Sequence, residues 1–175
     1  MTVDVLELVL RILHIGSGIF WVGTAWFFFG FIEPTTQALG PAAGPFMHHV
    51  VSQRRIVPAV LGAATLNVVM GLILYWRTSG GLDQAWLKSG TGIGFTFGGL
   101  CALAAWVLAV RMIGPTIVKL DETGSAMAGA GRPPTPEELG RMGALAHRLH
   151  RIGQADVILL LGAVLGMATA RYLTF

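Results

Sequence analysis

The sequence predicts an all-α membrane protein, a bundle of four transmembrane helices with both termini on the outer side, forming one domain over residues 1–175. Three observations predict it. Of the 175 residues, 54% are hydrophobic and only 12% are charged, where soluble domains carry about 25% charge. Mean hydropathy is +0.68. Four apolar stretches each run for about 20 residues, the length a helix needs to cross a hydrocarbon core of about 30 Å. Disorder requires low hydrophobicity, and a disulfide scaffold requires more than the single Cys101, so both classes are excluded.

The first span covers residues 12–32, after a looser helical lead from Val5 to Arg11, and holds one ionisable residue, His14. The second covers 56–76, with Asn67 as its only strongly polar group. The third, 91–110, has no charge. The fourth, 152–172, carries Gln154 and Asp156 near its start. All four are continuous, whereas a membrane strand alternates polar and apolar positions. Asp4 and Glu7 precede Arg11, so the N-terminus lacks the basic leader of a secretory signal, and the first span is expected to stay in the protein. Gly94-x3-Gly98 and Gly162-x3-Gly166 suit close helix approach in lipid.

Between spans one and two, Pro34, Pro41 and Pro45 predict that the first helix ends near Glu33–Pro34. A short helix from His48 to Arg54 is expected to feed span two. Residues 77–90 read as turn, short amphipathic segment, turn. Residues 111–122 continue helix three beyond the bilayer, and 123–136 are small and proline-bearing. Thr135–Pro136–Glu137–Glu138 is a capping sequence, so helix four is expected to begin near Pro136. No internal repeat stands out.

Eight of the twelve Lys and Arg residues fall in 33–55 and 111–151. The positive-inside rule places those loops in the cytoplasm and both termini outside, as suits a bacterial plasma (inner) membrane. Tyr75, Trp76, Trp86 and Tyr172 mark the outer interface. The formal charge of +3 fits anionic lipid headgroups. The bilayer is the expected partner. Nucleic acid is not, because no basic groove or recognition helix is present.

His14 lies roughly 12 Å inside the outer face, and an intramembrane ionisable group is a functional candidate by default. Neutral imidazole suits haem iron. Arg11, one turn outward, would pair with a propionate, and Trp21 would wall the pocket. The second reading bonds His14 to Asn67, at matching depth, or to a backbone carbonyl, and a third makes it a ligand of another metal or a proton relay. Asp156 reads as an ion-pair partner of Arg54, Arg55 or Arg111, as a snorkelled carboxylate, or as a proton or quinone site. His48 and His49 approach span two at the inner edge, where His147 and His150 sit three apart on the helix leading into span four. One histidine from each element meets the geometry of a haem, Met47–His48–His49 suits copper, and a surface cluster is the plain alternative. His14 and His150 differ by roughly 20 Å in depth. A haem on His14 therefore takes its other ligand from a partner or from a non-histidine group, or has none.

Arg11–Ile12–Leu13–His14 followed by Ile19–Phe20–Trp21–Val22–Gly23 resembles the first-helix pattern of a loose set of small bacterial membrane proteins. The set includes the copper-resistance D domain, the membrane domain of urate-oxidizing proteins and the HemJ type of protoporphyrinogen oxidase. The resemblance is strongest over residues 8–32. It implies haem b binding at His14, and the copper-resistance group implies copper handling. The oxidase group also carries a lysine in helix three, which span three lacks. Three functions follow as expectations. One is a haem b membrane protein in single-electron transfer, quinone-linked and working with other redox subunits or a second copy. The others are a cofactor-free structural or assembly subunit and a metal-handling protein. No catalytic constellation is evident.

Overall fold

The computed structural model describes residues 4–173; positions 1–3 and 174–175 of the expected domain lie outside the described residues. The described chain is helical throughout, and four of its helical stretches are long and apolar enough to cross a membrane. Helix α1 (Val5–Phe27) starts on Asp4, whose carboxylate accepts the Glu7 N–H at 3.1 Å. Helices α2 (Glu33–Leu39) and α3 (Gly44–His48) follow, then α4 (Ile56–Thr78), the short α5 (Gln84–Lys88) and α6 (Gly90–Leu108). The chain closes with α7 (Gly114–Gly129) and α8 (Pro136–Thr169).

Helix one does not end at Glu33–Pro34. The helical path continues through a π turn, Phe28–Ile32, into α2. Proline has no N–H, and its ring crowds the carbonyl four residues back. Widening the preceding turn, with the Glu33 N–H bonded to the Phe28 carbonyl, moves Pro34 into a first helical turn, where no N–H is needed. A second π turn, Ala109–Ile113, delivers Pro115 to the first turn of α7 in the same way. Ile32-x-Pro34-Thr35 and Ile113-x-Pro115-Thr116 each carry a leucine four residues after the threonine, Leu39 and Leu120. The chain thus runs twice through one plan, span, π turn, proline helix, span. So few identities are shared that the sequence alone hides the repeat. A third π turn, His49–Gln53, stands where a short helix was expected.

Each half forms its own tight helix pair, α1 with α4 and α6 with α8. In the second pair, a Cβ on Gly166 would stand 3.0 Å from the Gly98 backbone, so the two backbones touch where lipid supplies no hydrophobic drive. Trp21, Ala25, Ala64, Val68, Ala105 and Leu160 join the pairs in one core. Two further bonds tie α4 to α6: Tyr75 to Thr96 at 2.5 Å, and the Trp106 indole donating to Thr65 at 3.0 Å. Arg77 pairs with Asp4 at 2.5 Å, bringing the end of α4 beside the start of α1. At that end Trp86 of α5 meets Tyr75 edge-on and stacks on Phe95.

Helix α8 begins where expected. Thr135 accepts the Glu138 N–H at 3.2 Å, and Glu138 accepts the Thr135 N–H at 2.8 Å. Arg132 grips the same carboxylate through both terminal nitrogens, at 2.8 and 3.0 Å. Those bonds, the Arg132 guanidinium first, push the Glu138 carboxyl down to about 2.

Candidate functional site

His14 and Asn67 form a reciprocal clasp between α1 and α4. The Asn67 side-chain amide donates to the His14 carbonyl at 2.7 Å, and His14 Nδ1 lies 2.9 Å from the Asn67 carbonyl. A carbonyl only accepts, so Nδ1 carries a proton, and in the neutral ring Nε2 is the nitrogen with the lone pair. The two partners weighed for His14, Asn67 and a backbone carbonyl, are thus one residue. Glycines make the clasp possible. A Cβ on Gly18 would meet the Asn67 amide nitrogen at 2.7 Å, and one on Gly71 would meet the imidazole at 2.9 Å.

The other residues of this group are placed apart. Arg11 is engaged by Glu7, four residues earlier, at 2.5 Å. Trp21 is 2% exposed and belongs to the core. The space at His14 is filled by the imidazole and by Asn67 themselves.

At the opposite end the histidines separate into two dyads. His48 Nδ1 lies 3.1 Å from Asp121 on α7, with Ser125 at 3.0 Å from the same nitrogen and Ser52 donating to Asp121 at 2.5 Å. His150 Nδ1 lies 3.2 Å from Glu33, whose other oxygen accepts from Gln37 at 3.3 Å. Each carboxylate side chain is only 7% exposed. His49 accepts from Arg54 at 3.2 Å, and His147 is exposed. The partners cross between halves: Glu33 of the first holds His150 of the second, and Asp121 of the second holds His48 of the first. Sequence reasoning missed both carboxylates, which lie outside the apolar spans and far along the chain from their partners. Among the described residues, no group of three or more His, Cys, Asp or Glu side chains could hold a metal ion.

Asp156 is 1% exposed, and its Oδ1 has no hydrogen-bond partner. It forms no ion pair with Arg54, Arg55 or Arg111 among the described residues. It shares the buried face of α8 with Gly153 and Leu160. Phe29 of the first π turn presses on Gly153, where a Cβ would collide with its ring.

Fold and composition together define a polytopic, all-helical membrane protein. No family model matches this chain, nor does any curated protein or solved structure.

Proposed function

We propose that the chain is a membrane-embedded haem b protein of single-electron transfer, in which His14 would hold the group through Nε2. One observation carries this reading: Nδ1 is anchored on the Asn67 carbonyl, which fixes the tautomer and ring orientation that a metal-bound imidazole uses and raises its basicity. The anchored imidazole supports this reading at the ligand atom. There is no room in the core, which Trp21, Ala25 and Leu160 fill. His14 would therefore hold the group outside that core, together with a second copy or another redox subunit. Bound there, the group supplies a reversible one-electron couple. Arg11 reaches a propionate only by leaving Glu7. Quinone linkage remains part of the proposal, with electrons passed within the membrane plane. The loops 33–55 and 111–151 face the cytoplasm of a bacterial cell on this reading, supported by their eight basic residues.

A second reading, a cofactor-free structural or assembly subunit, is favoured by the other half of the clasp. The Asn67 amide already finds its acceptor in the His14 carbonyl, so the pair is useful as a helix lock alone.

The visible spectrum of the purified chain, oxidised and reduced, separates the two after haem-replete expression. The haem reading expects a stoichiometric b-type signal, abolished by His14→Leu. A colourless protein after replete expression and reconstitution, with partner candidates present, overturns it in favour of the assembly subunit.

A further inference from the structure

A groove of about 450 Å³ runs between the end of α6 and the start of the apolar part of α8. One wall is Leu108 and Met112, four residues apart. The other is Arg148, Arg151, Ile152 and Ala155. Those four stand at i, i+3, i+4 and i+7, so they line one face of α8. The stripe changes character along its length. Its end nearer the loops is cationic, and the rest is apolar. Neither arginine forms an ion pair among the described residues, although Arg11, Arg77 and Arg132 each do. Both are exposed, just ahead of the apolar stretch of α8 that starts at Ile152.

We propose that this groove binds one anionic phospholipid. The phosphodiester sits between Arg148 and Arg151, and an acyl chain lies along Leu108, Met112, Ile152 and Ala155. Charge complementarity selects the occupant. Guanidinium forks match phosphate oxygens, and basic pockets between transmembrane helices capture acidic headgroups. A packed helix from a partner would satisfy the apolar end and leave two arginines desolvated without counter-charge, which is costly. The site lies at the far end of the bundle from His14 and is independent of the haem reading.

The test uses the full chain in neutral detergent, equilibrated with equal amounts of phosphatidylglycerol and phosphatidylcholine. Native mass spectrometry counts the lipid retained. Phosphatidylglycerol is expected to be retained in preference. Arg148→Gln with Arg151→Gln should weaken that retention about thirtyfold while sparing phosphatidylcholine. Arg132→Gln, which removes a charge remote from the groove, should change nothing. Ala155→Trp fills the apolar end, keeps both arginines and should also expel the lipid. It carries the test if the glutamine pair fails to fold. Free inorganic phosphate should not displace the lipid, since it lacks the chain. Equal retention of the two lipids, undiminished retention in the folded glutamine pair or in Ala155→Trp, displacement by phosphate, or a dimer that the glutamine pair dissociates would each overturn the proposal.

Discussion

Asp156 is the residue whose chemistry is least satisfied by its surroundings. A buried polar oxygen without a partner costs about 1–3 kcal/mol, and an apolar replacement of similar size removes that cost. Asp156→Leu is therefore expected to raise the thermal midpoint of the detergent-solubilised protein. A lowered midpoint would mean that the carboxyl stabilises the fold despite its unpartnered oxygen. His14 shows how far a single residue was legible. Depth matching placed it beside Asn67, because both are rare polar groups in apolar spans and each must find a partner. The reciprocity was not legible, since it depends on which backbone carbonyl each side chain reaches. Glu33 and Asp121 were missed because charged residues in loops are ordinarily solvated; only the fold buries these two.

At the scale of the element, the start of α8 was readable residue by residue, because capping is local chemistry. The proline after helix one was misleading for an equally physical reason. A π turn absorbs it, and nothing in Phe28–Ile32 announces a wider turn. The cap also sets a pH dependence. The Glu138 carboxyl titrates at about 2 in the folded chain against an ordinary 4.5. A lowered pKa contributes stability that is whole above the ordinary value and is lost as pH falls through the folded one. Amides in the first turn of α8 are expected to stay protected from exchange well below pH 4.5 and to fray on approach to pH 2. Arg132→Gln should shift that fraying upward. If the fraying pH does not move, the guanidinium is not what holds the carboxylate.

For the whole molecule, the four spans followed from composition and length alone, and the structure returns four helical stretches suited to crossing. The pairing of α1 with α4 and of α6 with α8 was not available from hydropathy, which is blind to who touches whom. Orientation is open to direct measurement. With Cys101 changed to Ser, a single cysteine at Gly80 is expected to react with an impermeant thiol reagent added outside intact cells. A cysteine at Ala42 should react only after permeabilisation. The reverse pattern would invert the assignment of the loops.

The crossed dyads also govern the order of events during synthesis. Glu33 meets His150 across 117 positions of chain, and His48 meets Asp121 across 73. The first hairpin therefore leaves the ribosome with an acidic side chain and an imidazole both awaiting mates not yet made. Contacts so distant along the chain form late. Neither strap can close until the carboxy-terminal half has been made.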